Sequence, residues 1–217
     1  MKPKIYGAPL SPYVRKVRLF LETKGVEYDS KMIVPYATPD DYSALNPLRR
    51  VPALEFDGQT LADSAVICHF LEDKFPETTL IPKDAYLRAR CAWFEKYADY
   101  ELAPLTTFTA FKERVLTRLS GGEPDETRIR KAVDLKLPPL LDYLEEELSG
   151  DHFVGNSLSL ADIAIASQLI SFEHSGEQLD GTRWPKLSQF LATFCGRTYV
   201  QQMIDSEQEA LKKLLGH

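Results

Sequence analysis

Cysteine is scarce in this chain, and the few cysteines argue against two classes of protein. Only three occur in 217 residues, at Cys68, Cys91 and Cys195, with no C-x-x-C pair. An odd and scattered set is not a disulfide framework and is typical of reduced thiols, so we expect a cytoplasmic protein. The four histidines are His69, His152, His174 and His217. Their spacing matches no metal-site pattern such as H-E-x-x-H, so no metal is expected.

Long apolar runs and an excess of positive charge are also missing. No segment reaches the roughly 20 consecutive apolar residues of a membrane span, and the N-terminal MKPKIYGAPL is too short in apolar length for a secretory signal. The formal net charge is −6, from 26 basic and 32 acidic side chains. Because such a chain repels nucleic acids and anionic lipid surfaces, we expect neither of them as a partner.

The first third of the chain alternates between strand and helix patterns. The apolar run KIYG (4–7) predicts a buried strand, and VEYDSKMIV (26–34) predicts a second one. Between them, Pro12 suits the first helical position and Gly25 the residue after the last, with an apolar stripe at Val14, Val17 and Leu21. Strand, helix and strand in so few residues predict a parallel crossover unit. The basic side chains of this helix predict a solvated face; they are Arg15, Lys16 and Arg18.

A hairpin and another helix follow. Asp57-Gly58, between two extended segments, is typical of a tight two-residue turn. A helix is predicted to start at Ser64 and end near Phe75, on the spacing of Ile67, Phe70 and Leu71. The N-terminal part is therefore predicted to be β-α-β-α-β-β-α, a small mixed sheet flanked by helices, in which the second helix is a short one at 39–45.

Strand patterns stop at about residue 84. Segments such as AYLRARCAWFEKYADYELAPL and DYLEEELSG have helical spacing, whereas GGEP and LDGTRWP interrupt it. The stretch FPETTLIPKD has two prolines and no helical stripe, which is typical of a linker. We expect an α/β domain over 1–78, a linker over 79–86 and an all-helical domain over 87–217.

Three short stretches carry polar groups that suit a bound ligand, and each also has a purely structural interpretation. The first is Ser11-Pro12, where Ser11 is favoured as the N-cap of the first helix. Alternatively its hydroxyl donates to an anion, because a helix N-terminus has about half a positive charge and unpaired N–H groups. Ser11 is not expected to be a hydrolase-type nucleophile, since it has no nearby histidine in sequence and no G-x-S-x-G motif.

The other two stretches are Arg50-Val51-Pro52 and Asp63-Ser64. A proline at the start of a strand is ordinary, but a cis Val51-Pro52 bond would turn the Val51 backbone outward, toward an extended peptide-like ligand. Asp63 and Ser64 cap the next helix in the structural interpretation. In the functional one, Asp63 binds an ammonium group while the Ser64 hydroxyl and N–H bind a carboxylate, which suits a short zwitterionic peptide.

Four segments together resemble the cytosolic glutathione transferase family, in its bacterial, serine-type form, over nearly the whole chain. They are SPYVRKVRLFLETKGV, NPLRRVPALEFDG, LADSAVICHFLEDKFP and SLSLADIAIA, in the family's order. In the last segment Ser159 and Asp162 have capping-box spacing, and Leu158 and Ile163 are placed as a hydrophobic staple. In the family this box is a structural element, so it is not counted as a site.

The resemblance implies a thioredoxin-like N-terminal domain that binds glutathione and an all-helical C-terminal domain that helps to hold the second substrate. The residues implied at glutathione are Ser11 as the catalytic donor to the sulfur, Val51 and a cis Pro52 at the cysteinyl backbone, Arg50 near the glycyl carboxylate, and Asp63 with Ser64 at the γ-glutamyl group. Many members are homodimers, so self-association is expected, with glutathione as co-substrate and no metal.

The reaction itself is left open by the resemblance. The leading hypothesis is detoxification by transfer of glutathione to small apolar electrophiles. Serine at position 11 disfavours the thiol–disulfide chemistry of cysteine-type branches, and the S-S-C pattern of maleylacetoacetate isomerases is absent. The alternatives are a glutathione-dependent isomerase, dehalogenase or peroxidase, and a non-catalytic regulatory protein similar to stringent starvation proteins. Four side chains are assigned to the electrophile pocket, with core packing slightly favoured for the last two: Leu10, Tyr13, Phe108 and Phe111.

Overall fold

The computed structural model describes residues 1–35 and 37–216, so Tyr36 and His217, one of the four histidines considered above, lie outside the described residues. The chain divides into two units, Met1–Arg88 and Ala89–His217. The finer assignment of 79–86 as a linker stays a prediction. Over the described ranges, no helix is long and apolar enough to cross a membrane.

A four-stranded sheet in the order β2-β1-β3-β4 organises the first unit. β1 (Lys4–Tyr6) pairs in parallel with β2 (Asp29–Lys31) and antiparallel with β3 (Ala53–Phe56), which pairs antiparallel with β4 (Gln59–Ala62). The helical elements of this unit are α1 (Pro12–Lys24), a 3₁₀ turn (Asp40–Ala44) and α2 (Ser64–Lys74). The predicted mixed α/β fold is confirmed, with a 3₁₀ turn where a short helix was predicted.

The first helix and the hairpin form for the reasons that their sequences predict. Pro12 is the first residue of α1, and Gly25 follows its last residue with a left-handed φ of 68°, which glycine adopts at little cost. The predicted stripe of Val14, Val17 and Leu21 is buried. In the hairpin, Asp57 and Gly58 have φ values of 50° and 74°, the two left-handed conformations that a type I′ turn requires.

The solvated basic face predicted for α1 is wrong for two of its three side chains. Arg15 and Lys16 are both 0% exposed, and Arg18 alone is partly exposed, with its Nε donating to the Tyr28 hydroxyl at 3.1 Å. The Lys16 ammonium lies 5.8 Å from the centre of the Tyr13 ring. At 0% exposure the charged groups are enclosed together with the aliphatic stems, which is costly unless each charge is paired inside the protein. A positive charge alone therefore does not place a side chain on a solvated face.

The second strand is shorter than predicted. Of residues 26–34 only Asp29–Lys31 form β2, and all three are exposed. Ile33 lies beyond the strand and packs in a buried cluster with Tyr6, Tyr42 and Ala53. Its apolar character therefore reflects packing in this cluster and not pairing in the sheet.

The second unit consists of helices and the loops between them, with no strand among the residues described. Its central helix, α7 (Leu160–His174), is buried along the whole of residues 160–172, which explains why apolar residues occur on all of its sides. The helices are α3 (Ala85–Tyr97), α4 (Ala103–Leu105), α5 (Glu126–Arg130), α6 (Leu137–Glu147), α7 (Leu160–His174), α8 (Pro185–Cys195) and α9 (Thr198–Leu215). Helix α3 begins four residues before the division between the units, which falls after Arg88. π-helical segments adjoin them at Ala98–Leu102, Thr106–Thr117 and Lys131–Lys136.

A buried carboxylate holds the start of α7. Asp162 is 0% exposed, and its Oδ2 accepts hydrogen bonds from the Ser159 N–H at 2.7 Å and the Ser159 hydroxyl at 2.8 Å. Its Oδ1 accepts from the Phe153 N–H at 2.9 Å, which joins the loop before α7 to the helix. This arrangement has the structural role that the capping-box spacing predicts.

Candidate functional site

Three turns of the first unit lie along one edge of its sheet. In the strand register, Tyr6 at the end of β1 pairs with Ala53 at the start of β3, and Ala53 pairs with Ala62 at the end of β4. The loop after β1, the residues before β3 and the cap after β4 therefore lie at the same edge. These three segments carry the predicted site residues Ser11, Val51 and Asp63.

Gly7 brings two of these segments close together. A Cβ atom on Gly7 would lie 2.4 Å from a methyl group of Val14 and 3.2 Å from Cβ of Val51. Only glycine therefore lets the chain that leaves β1 pass this close to α1 and to Val51. Gly7 is not among the predicted site residues, although a glycine directly after a buried strand is a pattern that marks a close backbone approach.

Ser11 caps α1 with its backbone and not with its side chain. It has an extended conformation (φ −71°, ψ 124°), and its carbonyl accepts the first helical hydrogen bond, from the Arg15 N–H at 2.9 Å. The side chain makes no capping hydrogen bond, and the residue is half-buried. The N-cap interpretation is therefore right for the backbone of Ser11 and wrong for its hydroxyl, which its own helix does not use.

The Val51-Pro52 peptide bond is cis, as the resemblance implies. Val51 is half-buried, whereas Pro52 and the following Ala53 are buried. Val51 is thus the last residue with accessible surface before β3 enters the core. Its position beside Gly7 places its backbone at the same edge as the start of α1.

Two buried side chains that are not among the predicted site residues hold the neighbouring Arg50. The carbonyl of Arg50 accepts a hydrogen bond from the Tyr42 hydroxyl at 2.9 Å and from Nδ2 of Asn46 at 2.7 Å. Burial raises the pKa of Tyr42 to about 12, so its hydroxyl stays protonated and remains a donor. The Arg50 backbone is fixed in this way while the residue itself is exposed. The only local signal was the Asn-Pro pair, which is typical of a turn.

Asp63 combines a cap with an unusual backbone conformation. Its Oδ1 accepts from the N–H groups of Ala65 at 2.9 Å and Val66 at 3.3 Å, which leaves Oδ2 outside these bonds. Its φ is 78°, a left-handed conformation that costs a residue other than glycine about 1–3 kcal/mol and is concentrated at functional sites. Ser64, the first residue of α2, is buried at 2% exposure, and its N–H takes no part in the Asp63 bonds.

The four side chains assigned to an electrophile pocket differ in exposure. Leu10 and Tyr13, in the first unit, are half-buried. In the second unit, Phe111 is only 3% exposed, which suits core packing, whereas Phe108 is 42% exposed. Their role toward a second substrate stays a prediction.

The edge of the sheet offers a specific set of chemical groups. The N-termini of α1 and α2 attract anions, the Asp63 carboxylate attracts a cation, and the backbone before the cis proline can pair with an extended chain. A short peptide with an ammonium group, carboxylates and a thiol has the matching groups. Within residues 1–35 and 37–216, no group of three or more histidine, cysteine, aspartate or glutamate side chains is placed to hold a metal ion.

Comparison with protein families finds matches in both units. Residues 5–79 match the family model described as the N-terminal domain of glutathione S-transferase, and residues 105–198 match the model of its C-terminal domain. The glutathione S-transferase of wheat (Triticum aestivum) is 31% identical over 188 residues, which are 87% of this chain and 86% of that protein.

Further similarities extend to a second activity and to a solved structure. The maleylacetoacetate isomerase of the rat (Rattus norvegicus) is 28% identical over 195 residues, covering 86% of this chain and 85% of that protein. A crystal structure of a glutathione S-transferase from Rhodospirillum rubrum F11 superimposes with a TM-score of 0.85 at 27% identity, over 93% of this chain and 91% of that one.

Proposed function

Because the chain belongs to the glutathione S-transferase family, we propose that it binds glutathione at the shared edge of its sheet and transfers it to small apolar electrophiles. The register Tyr6–Ala53–Ala62 carries this proposal, since it brings Ser11, Val51 and Asp63 from three distant segments to one edge. Homodimers and a role in detoxification are typical of this family, and we propose both for this chain.

Each part of glutathione has a partner in this proposal. The γ-glutamyl ammonium group pairs with the Asp63 carboxylate, and the γ-glutamyl carboxylate takes the Ser64 N–H and hydroxyl. The cysteinyl backbone pairs with Val51 as an added strand would. The Arg50 guanidinium lies near the glycyl carboxylate, and the Ser11 hydroxyl donates to the sulfur.

The Ser11 hydroxyl and the start of α1 are sufficient to ionise the thiol. A free thiol has a pKa near 8.5, and lowering it by about two units takes roughly 3 kcal/mol of selective stabilisation of the thiolate. A hydrogen bond to a charged group supplies about 1.5–3 kcal/mol, and a helix N-terminus supplies about 0.3–1 kcal/mol, up to about 2. No general base is required, so the protein acts by positioning the thiolate and stabilising its charge.

Isomerisation is the second candidate, and the similarity to maleylacetoacetate isomerases favours it. These relatives are 26–29% identical to the chain, close to the 31% of the wheat transferase. The same bound thiolate would add to the substrate and leave again without net transfer. Turnover assays with an activated aryl halide and with maleylacetoacetate, each with glutathione, separate the two activities. Turnover of the aryl halide at a higher kcat/KM supports the transferase, and the reverse supports the isomerase.

Binding of glutathione is tested by an isosteric change at Asp63. Asp63→Asn keeps a capping oxygen and a residue type that tolerates a left-handed φ, so α2 keeps its cap. It removes the negative charge that would pair with the γ-glutamyl ammonium group. We expect the Kd for glutathione to rise about tenfold or more in calorimetric titration, because hydrogen bonds to charged groups contribute about 1.5–3 kcal/mol.

Asp57→Asn is the matched control for this change. Asp57 is also exposed and also has a left-handed φ, of 50°, but it lies in the hairpin at the opposite ends of β3 and β4. Its replacement should leave the Kd within twofold of the wild type. Equal Kd values for all three proteins would remove Asp63 from the site. Failure of the wild type to bind glutathione would favour the non-catalytic, regulatory alternative.

A further inference from the structure

Residues 38–49 of the first unit form a loop whose two ends are joined by one side chain. Arg49 Nε donates a hydrogen bond to the Thr38 hydroxyl at 2.8 Å, and Arg49 Nη2 donates to the Thr38 carbonyl and, at 3.3 Å, to the Pro39 carbonyl. Oδ1 of Asp40 lies 3.4 Å from the same Nη2. Compact surface loops with adjoining ends and their own side chains packed inside are frequently functional. We name this segment the Arg49 loop.

The backbone of Arg49 has a conformation that favours glycine. Its φ is 54°, in the left-handed region, which a residue with a side chain adopts only against strain. Its N–H donates to the Asn46 carbonyl at 2.9 Å, which holds this conformation at the end of a turn. Such strain persists where the surrounding contacts impose it, and it is concentrated at functional sites. The contacts that arginine makes here and glycine could not make are those of the guanidinium group with residues 38–40.

Two side chains inside the Arg49 loop reach the proposed glutathione site. Tyr42 and Asn46 are 2% and 4% exposed, and both donate to the Arg50 carbonyl. That carbonyl and the Val51 N–H belong to one planar trans peptide group, so they point in opposite directions. The two donors therefore fix the direction of the Val51 N–H, on the backbone that is proposed to pair with the cysteinyl residue of glutathione.

The Pro39 carbonyl connects Arg49 to Tyr42. It accepts from Arg49 Nη2 and also from the Tyr42 N–H at 3.1 Å, at the start of the 3₁₀ turn Asp40–Ala44. The guanidinium group thus holds the turn that carries Tyr42 by its first residues. If these residues were released, the Tyr42 hydroxyl would be aligned with the Arg50 carbonyl for a smaller fraction of the time.

We propose that Arg49 is a positioning residue for glutathione, which closes the Arg49 loop and so keeps the Val51 N–H directed at the cysteinyl backbone. This role rests on the glutathione site proposed above and adds to it a residue that does not touch the ligand. A site that is competent for a smaller fraction of the time binds its ligand more weakly by the same factor. Loss of the guanidinium group should therefore weaken the binding of glutathione without loss of the fold.

Arg49→Gly tests this role, because it removes the guanidinium group and leaves a residue that adopts a φ of 54° without strain. In calorimetric titration of the full-length protein, the Kd for glutathione should rise about fivefold to tenfold, as the competent fraction falls. The stoichiometry should not change, whereas a merely structural role would lower the stoichiometry through unfolding and leave the Kd unchanged. Asp57→Gly is the matched control, since it also places glycine at a left-handed position, with a φ of 50°, outside the Arg49 loop. Its Kd should stay within twofold of the wild type.

The glycyl monoethyl ester of glutathione separates positioning from attraction by charge. Arg49 precedes Arg50, which is proposed to lie near the glycyl carboxylate, and the ester lacks the charge of that carboxylate. Because the Val51 N–H serves both ligands alike, Arg49→Gly should weaken the binding of glutathione and of the ester by the same factor. Weaker binding of glutathione with unchanged binding of the ester would overturn the proposal and leave Arg49 as a charge that attracts the glycyl carboxylate.

Tyr42→Phe tests whether Arg49 acts through the Tyr42 hydroxyl. This variant keeps the buried ring and removes one donor to the Arg50 carbonyl, so the Kd for glutathione should rise. Residues of one hydrogen-bond network do not have additive effects, so adding Arg49→Gly to Tyr42→Phe should raise the Kd less than twofold further. Effects that multiply in full in the double variant would overturn the proposal.

Two further outcomes distinguish this inference from the function on which it rests. If the wild type binds glutathione and Arg49→Gly binds it with a Kd within twofold, Arg49 has no positioning role and the proposed glutathione site stands. If the wild type binds neither glutathione nor its ester, the proposed function is overturned, and the role of Arg49 with it.

Discussion

Replacing Ser11 by alanine is expected to lower the turnover of glutathione with an activated aryl halide by about tenfold to a hundredfold. The Ser11 hydroxyl would donate to the thiolate, and a hydrogen bond to a charged group contributes about 1.5–3 kcal/mol. A loss of 1.4 kcal/mol corresponds to about tenfold in rate. Because the fraction of ionised thiol falls, kcat should fall at neutral pH, whereas glutathione should still bind through Val51, Asp63 and Ser64.

The fold should not change in this variant, because the Ser11 side chain makes no capping hydrogen bond. The free energy of unfolding is therefore expected to stay within about 0.5 kcal/mol of the wild type. Ser11→Thr is the matched control, since it restores a hydroxyl at a position whose extended backbone suits a β-branched residue. Turnover of Ser11→Ala within twofold of the wild type would remove Ser11 from the mechanism.

Replacing Asp162 by alanine is expected to lower the free energy of unfolding by about 3–5 kcal/mol. The change leaves the N–H groups of Ser159 and Phe153 without their acceptor, in a part of the second unit where all three residues are buried. Buried polar groups that lose their partners cost about 1–3 kcal/mol each. Urea denaturation of the two proteins, followed by circular dichroism, measures the difference.

Asp142→Ala is the control that separates burial from charge. Like Asp162, Asp142 accepts hydrogen bonds from two other residues. Its donors are Arg183 Nη2 at 2.7 Å and Trp184 Nε1 at 2.8 Å, but its side chain is 44% exposed. Ion pairs at the surface are screened by water and contribute little to stability, so this variant should lose much less stability than Asp162→Ala. If the two variants lost the same amount, the buried capping box would not have the role assigned to it.

The elements of the first unit could be predicted wherever a local pattern determines the backbone. Pro12 and Gly25 mark both ends of α1, and Asp57-Gly58 forms the predicted hairpin turn. In each case the chemistry of one or two neighbouring residues restricts the backbone angle φ, so the sequence is sufficient to predict the helix end or the turn. The order of the segments then predicts which turns share an edge of the sheet.

Features that depend on distant residues could not be predicted. Helical periodicity places Arg15 and Lys16 on a polar face, whereas both are buried, because burial depends on which other elements cover that face. The hydrogen bonds of Tyr42 and Asn46 to the Arg50 carbonyl join side chains to a backbone several residues away. The sequence also favours a capping hydrogen bond from the side chain of a serine that precedes a helix. Only the three-dimensional structure shows that the Ser11 hydroxyl makes none.

Titration of the thiol of bound glutathione by its ultraviolet thiolate absorbance tests the central proposal most directly. Glutathione bound to the wild type is expected to ionise with an apparent pKa about two units below the free value of about 8.5. In Ser11→Ala, saturated with glutathione, the pKa should return most of the way to the free value, whereas in Ser11→Thr it should stay low. A bound thiol that titrates as free glutathione does in the wild-type protein would contradict the proposal that Ser11 and the start of α1 stabilise a thiolate.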